Sequence, residues 1–105
     1  MNLNKYQELA SRTANPHDLE LLNYGLGLAG EAGEIVELIK KSHFHGHVID
    51  KTRITGELGD LMWYVSQVAR VTGIDLEDVG QANIEKLKKR YPNGFSEKDS
   101  QNRTT

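Results

Sequence analysis

The run Gly27-Leu28-Ala29-Gly30-Glu31-Ala32-Gly33-Glu34 places two carboxylates three residues apart, and Glu57-Leu58-Gly59-Asp60 repeats that spacing after 22 intervening residues. Three steps along an α-helix set the members of a pair about 60° apart on one face. Like charges so placed destabilise a helix, so two such pairs need a reason. Four carboxylates from two facing helices form a cage of hard oxygen donors suited to Mg²⁺ or Mn²⁺. The competing reading is a pair of solvated helix faces, the usual state of a helical Glu.

Outward from these pairs the pattern is helical throughout. A long helix is predicted from about Asp18 to Lys41, with Leu19, Leu22, Leu26, Leu28, Ala29, Ile35, Val36, Leu38 and Ile39 covering more than one face. A helix apolar on several sides must be buried on several sides, which points to a second subunit. Gly27, Gly30 and Gly33 each cost up to about 1 kcal/mol relative to Ala and permit close approach of a backbone or ligand; Gly59 can act in the same way. A second long helix, from about Lys51 to Thr72, carries the stripe Ile54, Leu58, Leu61, Met62, Val65, Val68 and Ala69. Its neighbouring face holds Arg53, Glu57, Asp60, Tyr64 and Gln67, so the acids border the expected core.

A short helix is predicted over Leu3 to Ala14, interrupted at Asn15-Pro16 because the residue before proline avoids helical dihedrals. His43 to Asp50 reads as a loop. Gly73 ends the Lys51–Thr72 helix; Asp75 is the expected cap of a last long helix that Pro92-Asn93-Gly94 closes. Ser96 to Thr105 is a polar tail, mobile unless docked. Strand signals are nearly absent. The expectation is an all-α, four-helix domain over residues 1–95 with a tail over 96–105, completed by association with further copies.

Along the last long helix Asn83, Lys86 and Arg90 share a face beside Leu76, Gly80, Ile84, Leu87 and Tyr91. Amide, ammonium and guanidinium in line can grip phosphate oxygens; the alternative is an exposed basic end favoured by the helix dipole. Glu37, within helical reach of Lys40 and Lys41, reads as a salt-bridged surface acid. His43, His45 and His47 alternate, and in an extended segment they would share a side and could bind Zn²⁺ or Ni²⁺, though no fourth ligand is near.

Composition narrows the classes. The chain has 105 residues, 13 Lys plus Arg against 15 Asp plus Glu, a formal charge of −2 and no cysteine. That balance argues against a broad basic surface for a nucleic-acid polymer. The lack of cysteine excludes disulfides, thiolate metal sites and thiol catalysis. No apolar run approaches the roughly 20 residues of a membrane span. Lys5, Glu8 and Arg12 fall where a secretory signal needs an apolar centre, and the expected location is the cytoplasm.

The pattern E-x-x-E, spacer, E-x-x-D, met by Glu31, Glu34, Glu57 and Asp60, resembles that of the MazG-like nucleotide pyrophosphohydrolases of the all-α nucleoside triphosphate pyrophosphatase superfamily. Glu57-Leu-Gly-Asp-Leu-Met-Trp-Tyr64 and Asn83-Ile-Glu-Lys-Leu-Lys-Lys-Arg-Tyr-Pro-Asn-Gly-Phe95 agree, as do Tyr6-Gln7 and Arg12-Thr13, so the resemblance covers residues 6 to 95. It implies Mg²⁺-dependent hydrolysis of (deoxy)nucleoside triphosphates to monophosphate and pyrophosphate, with Mn²⁺ able to substitute. By position, Glu31, Glu34, Glu57 and Asp60 would hold metal and Glu34 would take the proton of the attacking water. Asn83, Lys86 and Arg90, assisted by Lys40 or Lys41, would hold phosphates; Trp63 or Tyr64 would stack on base or sugar, or belong to the core. A homodimer or dimer of dimers is implied. The rival is a non-catalytic helical module that binds nucleotide or simply associates.

Overall fold

The computed structural model describes residues 1–104. Its elements are α1 (Leu3–Ser11), α2 (Glu20–Phe44), α3 (Lys51–Val71), α4 (Leu76–Arg90) and a short α5 (Glu97–Gln101), with no strand among the described residues. The fold is all-α, as the periodicity predicts.

Helix starts follow from caps, supplied locally or from afar. The Asn2 side chain accepts from the Lys5 N–H at 2.8 Å, and Asp50 accepts from the Thr52 and Arg53 N–H groups at 2.9 and 3.4 Å, each satisfying orphan donors of a first turn. Asp75 precedes α4 as expected, but its side chain makes no capping bond. The N–H groups of Leu76 and Glu77 donate instead to Gln7 Oε1 and Asn4 Oδ1 of α1, both at 2.9 Å. At the other end of α3, Gly73 adopts φ +76 and the Ile74 N–H returns to the Ala69 carbonyl at 2.8 Å, the wrap-back that needs a left-handed residue.

Two expectations change. α2 continues past Lys41 to Phe44, so His43 is helical and the three imidazoles do not alternate along an extended segment. The tail is not structureless: Ser96 accepts from the Asp99 N–H at 3.1 Å to start α5. Asp99, Asn102 and Arg103 then line a cleft with Lys89 and Arg90. Thr105 lies outside the described residues.

α3 is the hub, packed against α1, α2 and α4. The interior it shares with them is largely polar. Among the described residues Tyr24, Ala69 and Leu76 are the buried apolar ones, beside buried Gln7, Glu20, Ser66 and Gln67, the last two 0% exposed. Buried polar groups persist only when hydrogen-bonded, and these are. Gln7 Nε2 donates to the carbonyls of Ser66 and Ile74 at 3.1 and 3.0 Å. Gln67 donates to Ser11 Oγ at 3.2 Å and accepts from Arg70 Nε at 2.7 Å. Arg70 also donates to Glu20 Oε2, which accepts from the Tyr24 hydroxyl as well.

The expected apolar core of α3 is, by contrast, partly uncovered: Leu58, Met62 and Val65 are exposed, as are Leu22, Leu26 and Val36 on α2, the last three 59–64% exposed. The radius of gyration is 16.7 Å, against about 13 Å for a compact domain of this length. The stripe marks a face that this chain alone does not cover.

Candidate active site

α2 and α3 form an antiparallel hairpin whose register sets Gly27 against Tyr64 and brings Glu31 to Asp60 and Glu34 to Glu57. Carboxylate oxygens of Glu31, Glu57 and Asp60 lie within 4.8 Å of one another. Among the described residues this is the group of acids or histidines close enough to share a cation; the three imidazoles of residues 43–47 form none. Oε2 of Glu31 and Oε2 of Glu57 are both buried without a hydrogen-bond partner. Such atoms cost free energy unless something satisfies them. Hard oxygen donors converging in this way suit a divalent cation.

The electrostatics agree. Burial pushes the Glu31 carboxyl above its ordinary value, the charges of Glu34 and Asp60 add to this, and contact with Glu57 opposes it. Glu34 is exposed and outside the close triad, yet contact with Glu57 raises its pKa too, followed by that group's charge. Burial and the neighbouring carboxylates thus make Glu31 and Glu34 harder to ionise than a free glutamate.

Glu31, Asp60, Trp63 and Tyr64 line an open cleft of about 360 Å³. Trp63 is tethered: its Nε1 donates to the Ala10 carbonyl at 3.2 Å and to Thr13 Oγ1 at 2.9 Å. Its ring meets Tyr24 edge-on at 5.2 Å and Tyr64 edge-on at 5.1 Å. A Cβ added to Gly27 would fall within the Tyr64 ring, so this glycine is where α2 admits the aromatic wall. At Gly30, Gly33 and Gly59 an added Cβ would meet no atom within 4 Å. The close approach expected at those three is not made within one chain.

The remaining named residues lie elsewhere. Lys41 pairs with Glu37 at 4.0 Å and lines a pocket with Arg53 at the loop end of the hairpin. Asn83 and Lys86 line a cleft with Ile74, Asp78 and Val79, while Arg90 faces α5. None lines the acidic cleft of its own chain. Two features were missed from sequence. Tyr6 on α1 has a phenol raised by burial and then by the charge of Asp60. The Gln67–Arg70–Glu20–Tyr24 network anchors the hairpin; its one visible signal was Gln67 continuing the face of Glu57, Asp60 and Tyr64.

Among the described residues no helix is long and apolar enough to cross a membrane. No solved structure gives a significant match to the chain. The Gene 37 protein of Mycobacterium phage L5 is 37% identical over 114 aligned residues, spanning 98% of this chain and 100% of that protein. The family model of the MazG nucleotide pyrophosphohydrolase domain matches residues 20–95, a span that holds both acidic pairs and the whole of α2, α3 and α4. With that match and the converging carboxylates in view, the chain belongs to the MazG nucleotide pyrophosphohydrolase family.

Proposed function

We infer that the protein hydrolyses (deoxy)nucleoside triphosphates to the monophosphate and pyrophosphate with Mg²⁺, for which Mn²⁺ substitutes. The observation that carries this reading is the Glu31–Glu57–Asp60 triad, with two buried carboxylate oxygens that no protein donor satisfies. Glu31, Glu57 and Asp60 would hold the cation, with Glu34 beside them. A divalent cation bound there would supply Lewis-acid chemistry, offsetting phosphate charge and making water more acidic.

Glu34 is the general base. It is solvent-accessible, and its pKa is raised by contact with Glu57, which makes it a better proton acceptor. The water oxygen bonds to the α-phosphorus as the bond to the α,β-bridging oxygen breaks; pyrophosphate leaves with that electron pair, and the water proton passes to Glu34. Trp63 and Tyr64, fixed at right angles on the cleft wall, offer faces for base or sugar.

Asn83, Lys86 and Arg90 hold phosphate oxygens from α4 of a second copy. Support for that arrangement is their place away from the acids of their own chain and the exposed apolar faces of α2 and α3. The test is a panel of nucleoside triphosphates with Mg²⁺ and Mn²⁺. Release of pyrophosphate without orthophosphate supports the reading, and no release from any member refutes it.

A further inference from the structure

The family match begins at residue 20, so α1 and the turn after it stand outside the span that carries both acidic pairs. That outer segment nevertheless holds one wall of the acidic cleft. Trp63, three residues past Asp60, lines the cleft with Glu31, Asp60 and Tyr64. Its indole N–H points the other way, to the Ala10 carbonyl and to Thr13 Oγ1. An indole has a single polar hydrogen, and here it is committed to the segment outside the match.

Local chemistry prepares the acceptor. Thr13 Oγ1 donates to the Ala10 carbonyl at 2.8 Å, and the Thr13 N–H reaches the same oxygen at 3.1 Å. The hydroxyl proton is thereby directed away from Trp63, which leaves a lone pair for the indole N–H at 2.9 Å. The Ala10 carbonyl belongs to the last turn of α1, whose acceptors have no intrahelical donor, and it shares the same N–H at 3.2 Å. α1 is itself fixed, since Gln7 Nε2 donates to the carbonyls of Ser66 and Ile74. Tyr6, Ala10 and Thr13 follow one another at steps of four and three, along one side of α1 and its turn, and the Tyr6 phenol feels the charge of Asp60.

The indole ring is also met edge-on by Tyr24 and Tyr64, at 5.2 and 5.1 Å. Edge contacts between rings tolerate a range of tilts, whereas a hydrogen bond is directional. The two tyrosines therefore set where the indole sits, and the Thr13 hydroxyl sets how it is turned. We propose that Thr13 is a positioning residue for nucleotide binding, its hydroxyl holding the Trp63 ring in the orientation that meets the base. This role rests on the reading of the cleft as a nucleotide site; the tether itself does not.

Thr13→Val keeps the shape and removes the acceptor; Thr13→Ser keeps the acceptor. Trp63 is the sole tryptophan of the chain, so its emission reports the tether directly: it is expected to shift in Thr13→Val and to stay in Thr13→Ser. The four common deoxynucleoside monophosphates, which carry a base and no anhydride bond, are then titrated with Mg²⁺ against that emission. Their dissociation constants are expected to rise about two- to tenfold in Thr13→Val, the scale of one neutral hydrogen bond. In turnover, KM for triphosphates rises by the same factor with kcat nearly unchanged, and inhibition by inorganic pyrophosphate, which has no base, is unaltered. Adding Thr13→Val to Trp63→Phe changes KM no further. Thermal denaturation checks that each variant is folded, with Thr13→Ala standing in if Thr13→Val is not. Unshifted emission, wild-type affinity and KM despite a shift, or a KM effect that persists with Trp63→Phe each overturns the proposal. So does the lack of any response of wild-type emission to the monophosphates. Weakened monophosphate binding in Thr13→Val, with no pyrophosphate released by the wild type from any triphosphate, supports the positioning role and refutes the hydrolase reading instead.

Discussion

The backbone of Gly27 on α2 lies against the ring of Tyr64 on α3, one helical turn before Glu31 faces Asp60. This contact sets the separation of the two helices next to the acids. Gly27→Ala gains up to about 1 kcal/mol of helix propensity but drives a methyl group into the ring, and overpacking costs about 1–3 kcal/mol. The expected result is a lower Tm and a loss of turnover larger than the stability change explains. Thermal denaturation and steady-state kinetics check it; adding Tyr64→Ala should recover the Tm.

Removing one of the clustered charges should separate catalysis from folding. Glu57→Gln and Asp60→Asn are expected to lower turnover by about 100-fold or more, the scale of losing one preorganised electrostatic contact. Helicity should be retained, because neither side chain makes a hydrogen bond on which the fold depends. Pyrophosphate release and circular dichroism on the same samples are the measurements.

Acid dependence follows from the same cluster. Glu31 and Glu34 have folded-state pKa values above the ordinary 4.5, through burial and through contact with Glu57 respectively. The native state therefore binds these protons more tightly than the unfolded chain, and stability falls as pH rises through the interval between the two values. Below the unfolded value the penalty is absent; above the folded value it is complete. In chelator, the Tm of Glu31→Gln relative to wild type should rise across that interval, as followed by calorimetry at a series of pH values. A difference that shrinks with rising pH contradicts the assignment.

The Arg70–Glu20 pair tests the polar interior. Breaking a buried pair by removing one partner costs about 3–5 kcal/mol, discounted here because the Arg70 side chain is 31% exposed; about 2–3 kcal/mol is expected for Arg70→Met. The double variant with Glu20→Gln should be less destabilised than Arg70→Met alone, since it leaves no uncompensated charge. Denaturant titrations of the three proteins measure this.

Mixing inactive variants tests whether a second copy completes the site. Glu57→Gln and Lys86→Gln proteins, each inactive alone, should regain partial activity on mixing if α4 works across subunits. Strict inactivity of the mixture, despite exchange of subunits, refutes it.

Helix type and the spacing of the acids were legible because both are properties of a 3.6-residue repeat. The partner of each face was not. Leu58, Met62 and Val65 form as regular an apolar stripe as any core helix, yet they stand exposed in the single chain. Periodicity says which side is apolar and nothing about which chain covers it. Conversely, no periodic pattern marks Gln7, Ser66 and Gln67 as buried, because the partners that satisfy them lie as many as 69 positions away. The cap of α4 failed to be read for the same reason: Asp75 satisfied a local rule, while Gln7 and Asn4 met the actual need from across the chain.

Because Gln7 and Asn4 close the opening turn of α4, that helix cannot be finished until the start of the polypeptide has come home. Its first turn should fray, and exchange its amide protons early, whenever α1 detaches. Two amide side chains, 69 and 73 positions away from the groups they satisfy, thus serve as the clasp between the first helix of the bundle and its last long one.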